Sequence, residues 1–185
     1  MRLSGNTVLI TGGSSGIGYK LAKRFLNTNN RVIITGRDKA KLEAIKIELP
    51  EIEILQCELT DPNSFDELVT FMEQSHYDLN ILINNAAIQY NYSFINEPNL
   101  VNKIDYEIAA NLTAPIKLTG LLLPILLKNK ESAVINVSSG LAIAPKRSAS
   151  VYCATKSAIH SFSKTLRYQL EGEGIKVFEI IPPLV

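Results

Sequence analysis

Short apolar, β-branched runs alternate along the chain with longer stretches whose apolar positions recur at helical spacing. The runs predict strands at Thr7–Thr11, Arg31–Thr35, Glu53–Gln56, Ile81–Asn84, Ala133–Val137 and Lys176–Ile180. Between them the pattern predicts helices over Ile17–Thr28, Lys39–Leu49, Ser64–Ser75, Tyr106–Lys128 and Ser150–Glu171. Strands alternating with helices form right-handed βαβ units and a parallel sheet. Four of the strand runs are continuously apolar, as expected where helices cover both faces of a sheet. The expected architecture is an α/β fold with a doubly wound parallel sheet, its single domain spanning residues 1–185. Ile88–Leu100 is polar, aromatic and aperiodic, and it follows a strand, where open α/β sheets place ligand loops.

Composition narrows the partners. Nineteen basic residues face eighteen acidic ones, so no overall field draws nucleic acid or an anionic membrane. The most apolar stretch, Ala109–Leu127, is interrupted by Asn111, Thr113, Lys117 and Thr119, and reads as a buried helix rather than a membrane span. Cys57 and Cys153 are the two cysteines, without CxxC or metal-ligand spacing, which points to a reduced cytoplasmic chain and no metal site. Met1–Gly5 leads straight into the first strand and reads without a secretory signal.

The first strand ends in Thr11-Gly12-Gly13-Ser14-Ser15-Gly16-Ile17-Gly18, and a helix opens there. Glycines let backbone N–H groups approach a pyrophosphate, and the helix adds its positive N-terminal end. Gly12, Ser14, Ser15, Gly16, Ile17 and Gly18 are therefore candidate cofactor-binding residues. The G-x-x-x-G-x-G spacing differs from G-x-G-x-x-G and lacks the GK[ST] ending of a nucleoside-triphosphate loop. The second strand runs into Gly36-Arg37-Asp38. An acid at its end would bind a ribose 2′-hydroxyl, whereas a 2′-phosphate needs a cation. Asp38 precedes a helix and reads as its N-cap, Gly36 carries no charge, and Arg37 stands beside it. NADP(H) is the preferred cofactor and NAD(H) the alternative, the latter leaving Arg37 as a solvated surface cation.

Tyr152 and Lys156 lie four residues apart, on one face of a predicted helix. A free tyrosine titrates near 10, and a nearby ammonium favours its phenolate. Tyr152 could then protonate a carbonyl oxygen as hydride arrives, or take an alcohol proton in the reverse direction. Ser139 ends the fifth strand thirteen residues earlier, where its hydroxyl can orient the same oxygen. Neither His76 nor His160 has a motif linking it to this serine, which disfavours a nucleophilic role.

Together these residues resemble the short-chain dehydrogenase/reductase family, and the resemblance covers nearly the whole chain. Thr11–Gly18 is similar to its TGxxxGxG turn, Asn84-Asn85-Ala86-Ala87 to its NNAG segment, and Tyr152 with Lys156 to its YxxxK pair. Ser139 falls at the catalytic serine, Asn111 at the helix asparagine of the family's tetrad, and Pro182 in the segment that reads PG in relatives. The resemblance implies a Rossmann-like fold and an oxidoreductase interconverting a small carbonyl and an alcohol, with Asn111, Ser139, Tyr152 and Lys156 catalytic. It places Asn84, Ala86 and Pro182 at the cofactor, has Asn84 help tie the central strands together, gives Lys156 the nicotinamide ribose hydroxyls, and implies a homodimer or homotetramer. Ala87 and Pro183 replace glycines, and Glu58-Leu59 stands where relatives have Asp followed by Val or Leu. More narrowly, LITGGSSGIG and VYCATKSAIHSFS resemble oxidoreductases associated with D-alanylation genes. The family pattern also implies a last strand and a substrate-covering lid beyond Val185. A dinucleotide-binding sensor or scaffold without turnover is the competing function.

Overall fold

The computed structural model of the chain describes residues 2–76 and 78–183. Leu184 and Val185, where the expectation about the chain's end falls, lie outside them. Six strands form one parallel sheet in the order β3-β2-β1-β4-β5-β6. They are β1 (Thr7–Ile10), β2 (Arg31–Gly36), β3 (Glu53–Gln56), β4 (Ile81–Asn84), β5 (Ser132–Val137) and β6 (Ile175–Ile180). The helices are α1 (Gly16–Leu26), α2 (Lys39–Glu48), α3 (Pro62–Ser75), α4 (Leu100–Ile108), α5 (Ala114–Leu127) and α6 (Ser150–Gln169).

Alternate strand residues feed two cores, as the two-residue period requires. Leu9, Ile33, Leu82 and Val134 pack against Leu68 and Met72 of α3 and Leu118, Leu122 and Leu126 of α5. Val8, Ile10, Ile81 and Ile83 point the other way, toward Ala22 of α1 and Leu42 and Ile45 of α2. Each such fully buried aliphatic side chain contributes roughly 1.5–3 kcal/mol relative to exposure. The doubly wound sheet with helices on both faces is as the sequence pattern predicts.

The helix expected over Tyr106–Lys128 begins earlier, at Leu100, and is interrupted by a π turn at Ala109–Thr113. Pro115, in the first turn of α5, has no N–H to give the Asn111 carbonyl, and the backbone widens where that bond is missing. The run Leu100–Leu127 is long enough to span a membrane and its most apolar 18-residue window has a mean hydropathy of 1.5, but half of that window is buried within the fold.

The chain turns one way from β1 to β2 and crosses back from β3 to β4. The C-terminal ends of β1 and β4 are therefore neighbours from which connections diverge, the place where an open α/β sheet forms its ligand crevice.

Candidate active site

Thr11 latches the glycine-rich turn to the end of β4. Its Oγ1 accepts from the Asn85 and Ala86 N–H groups at 3.0 and 3.1 Å. Asn85 Nδ2 donates back to the Thr11 and Gly12 carbonyls at 2.9 and 3.1 Å. The fit is close enough to dictate residue type. A Cβ on Gly12, whose φ is +65°, would lie 2.8 Å from Ala86 Cα, and one on Gly18 would lie 2.4 Å from the Gly12 carbonyl oxygen. Ser15 begins α1 without capping it through its side chain, so the first N–H groups of the helix stay open to an anion. Gly12, Ser14, Ser15, Gly16 and Ile17 line a cleft of about 620 Å³ above the sheet. The glycine-walled cradle, with its open helix N-terminus, fits a pyrophosphate.

One end of this cleft holds Arg37. A Cβ on Gly36 would meet Ser14 Oγ at 2.9 Å, so the end of β2 has little room for an acidic side chain. Asp38 accepts from the Lys41 N–H at 3.1 Å and caps α2, in agreement with the sequence reading. The Arg37 guanidinium donates to the Tyr106 hydroxyl at 3.0 Å, which in turn donates to Glu58 Oε2 at 2.8 Å. That contact holds the guanidinium above the usual arginine range. Burial, followed by the Glu58 contact, raises Tyr106.

The other end gathers the chemistry. Ser139 follows β5 and starts a short 3-10 turn, its Oγ accepting from the Leu141 N–H at 3.1 Å. Tyr152 and Lys156 project from the first two turns of α6, with the Lys156 ammonium 5.7 Å from the Tyr152 ring centre. Lys156 is 3% exposed, and its Nζ donates to the Val137 carbonyl at 2.7 Å. Burial pushes this lysine down to about 8. Tyr152 does not show the lowering that its neighbouring ammonium led us to expect. Burial raises it, and the hydrogen bond with Ser139 opposes that only in part. Burial is the leading cause for both groups and disfavours the charged form of each.

Of the residues singled out in the sequence, Gly12, Ser14, Ser15, Gly16, Ile17, Arg37, Ala86, Ser139, Tyr152, Lys156 and Pro182 line the one cleft. Three do not. Gly18 lies behind the turn, where its missing side chain lets α1 approach Gly12. Asn84 turns away from the cleft and donates to Asn136 Oδ1 at 2.8 Å and Thr119 Oγ1 at 3.0 Å, tying β4 to β5 and α5. Asn111 is 1% exposed and spends its amide on the Ile88 backbone. Its place on the π turn aims it at the loop after β4 rather than into the open cleft. Tyr106, Lys41 and Lys146, none of them among the candidate site residues of the sequence analysis, also line the cleft. Tyr106 carries no local motif, and only the packing of α4 brings it to Arg37. His160 pairs with Glu179 at 2.8 Å, and Cys153 is buried with its Sγ accepting from the Lys146 N–H.

The family model described as short chain dehydrogenase matches residues 6–185. The chain belongs to this family. It is 44% identical over its full length to the uncharacterized oxidoreductase DltE of Bacillus subtilis, of which it spans 73%. A short-chain dehydrogenase from Sphingobium yanoikuyae solved with NADPH superposes with a TM-score of 0.89 at 31% identity, covering 96% of this chain and 71% of that one. A 3-ketoacyl-(acyl-carrier-protein) reductase from Brucella melitensis solved with NADH gives 0.90 at 28% identity, covering 98% and 77%. Proteins solved with either nicotinamide dinucleotide thus share this fold, and the chain is a member of an oxidoreductase family.

Proposed function

We propose that this short-chain dehydrogenase interconverts a small carbonyl compound and its alcohol, using NADP(H) in preference to NAD(H). The observation that carries the reading is convergence: the pyrophosphate cradle, Arg37, Ser139, Tyr152 and Lys156 open into one cleft. The open N–H groups at Ser15–Ile17 would hold the pyrophosphate, and Arg37 the 2′-phosphate. A bound nicotinamide supplies or accepts the hydride. Ser139 orients the substrate oxygen by hydrogen bonding, and the Tyr152 hydroxyl gives that oxygen its proton. Lys156, whose Nζ donates to the Val137 carbonyl, would hold the nicotinamide ribose hydroxyls and so set its ammonium beside Tyr152, offsetting the raising effect of burial. The Sphingobium yanoikuyae relative was solved with NADPH, which supports the cofactor choice. The same reading has the chain assemble as a dimer or tetramer through α5 and α6, whose Leu121, Leu127 and Tyr168 face outward.

The test is NADPH oxidation across a panel of ketones and aldehydes, with Tyr152→Phe as the control. Loss of the hydroxyl should cut turnover by about 10²–10⁴-fold while NADPH affinity stays within about twofold. Tyr152→Phe turning over like the parent would refute the proton role. NADPH binding without turnover on any carbonyl would favour a dinucleotide sensor instead.

A further inference from the structure

Arg37 does not extend alone into the cleft. Its Nη1 donates to the hydroxyl of Tyr106, 69 residues further along the chain. The Tyr106 hydroxyl has one proton, and it goes to Glu58 Oε2 at 2.8 Å, which leaves an oxygen lone pair facing the guanidinium. Glu58 is fixed in turn, because its Oε1 accepts from the Thr60 N–H and Oγ1 at 3.3 and 2.9 Å. The Arg37 backbone is held too, with its carbonyl accepting from Gln56 Nε2 at 3.1 Å.

A neutral oxygen therefore separates the acid from the guanidinium. A carboxylate placed directly on Arg37 would neutralise it. A hydroxyl takes one of five N–H donors and leaves the charge and the other four available. Lys41, the other cation at this end of the cleft, already has the Asp38 carboxylate 3.6 Å away. An exposed arginine otherwise samples many rotamers, and freezing them on binding weakens affinity.

We infer that Tyr106, oriented by Glu58, is a positioning residue that fixes the Arg37 guanidinium for a 2′-phosphate and so sets cofactor preference. The inference rests on the NADP(H) reading above and names a residue that α4 supplies to it. Specificity then depends on the loop and helix after β4 as well as on the end of β2.

The probes are adenosine 2′,5′-bisphosphate and 5′-AMP, titrated by calorimetry into the parent, Arg37→Ala, Tyr106→Phe and the double variant. Tyr106→Phe should weaken the bisphosphate by about three- to tenfold and AMP by less than about twofold. In the Arg37→Ala background it should have no further effect on either ligand. Glu58→Gln keeps an acceptor for the Tyr106 proton and should keep the preference, whereas Glu58→Leu should reduce it. Equal weakening of both ligands, an unchanged bisphosphate affinity, or the same loss with Arg37 already removed would overturn the role of Tyr106. Arg37→Ala separates this from the parent reading. If that variant still prefers the bisphosphate, the 2′-phosphate assignment itself fails; if it loses the preference while Tyr106→Phe does not, only the positioning role fails.

Discussion

Asn111 closes both sides of Ile88: its Oδ1 accepts from the Ile88 N–H at 2.8 Å, and its Nδ2 donates to the Ile88 carbonyl at 2.7 Å. One side-chain amide thus acts as the strand partner that the chain lacks after β4. It fixes the exit of that strand where Ala86, Ala87 and Ile88 form the cleft wall.

Asn111→Asp keeps the acceptor and loses the donor, setting a carboxylate oxygen against the Ile88 carbonyl. A buried polar group left unpaired costs about 1–3 kcal/mol, and urea denaturation should register a loss of that size. Hydrogen exchange at the Ile88 and Tyr90 amides should accelerate with it. Unchanged exchange there would mean that the loop is held by other contacts, such as Tyr92 N–H to the Ser148 carbonyl.

Gly18 and Gly16 should respond to alanine differently. A Cβ on Gly18 meets the Gly12 backbone at 2.4 Å, and backbone cannot step aside as a flexible side chain can. Gly18→Ala should lower stability by about 1–3 kcal/mol, as overpacking does. Gly16 has a φ of +56° and nothing within 4 Å, so Gly16→Ala costs about 1 kcal/mol of backbone strain. It also sets a methyl at the mouth of the pyrophosphate cradle. Thermal melts with and without NADPH separate the two: Gly16→Ala should lose more of the ligand-induced shift than of the intrinsic stability. A Gly16 variant with full cofactor affinity would move the pyrophosphate elsewhere.

Lys156 should make stability rise with alkaline pH. Burial holds it at about 8 in the folded protein, against 10.5 for an ordinary lysine. Below about pH 8 both states carry the proton, and the folded state bears the full cost of a buried charge. Between about 8 and 10.5 the unfolded chain binds more protons, so folding is favoured as pH increases. Lys156→Met removes this dependence, while the Val137 carbonyl it leaves unpaired adds a penalty that does not vary with pH. Relative to that variant the parent should gain up to about 3 kcal/mol between pH 7 and 10.5, read from urea midpoints. A difference that stays flat would place the Lys156 ammonium in solvent.

The sheet and most of the site were legible in the sequence for the same reason: both depend on local pattern. Apolar runs such as Val8–Ile10 and Ile81–Ile83 can be satisfied only by cover on two faces, and the glycine spacing from Gly12 to Gly18 records backbone contacts that no other residue permits. What escaped depends on tertiary approach. Tyr106 reaches Arg37 through the way α4 packs beside the end of β2, an approach between residues 69 apart that no local pattern records. Asn84 ties β4 to β5 as the family resemblance implies, but the directions of Asn84 and Asn111 away from the open cleft are set by Asn136, Thr119 and Ile88 rather than by their neighbours in sequence. The protonation of Tyr152 likewise follows from enclosure, which a four-residue spacing does not encode.

The account stands most directly on which dinucleotide the cleft binds. Titration of the protein with NADPH and with NADH, followed by nicotinamide fluorescence, should give saturable binding of both, with NADPH tighter by at least about tenfold. A charge-assisted contact to the 2′-phosphate of roughly 1.5–3 kcal/mol requires that margin. Arg37→Ala should bring NADPH to the affinity of NADH and leave NADH nearly unchanged. Saturation by neither dinucleotide, or tighter binding of NADH by the parent, would contradict the reading.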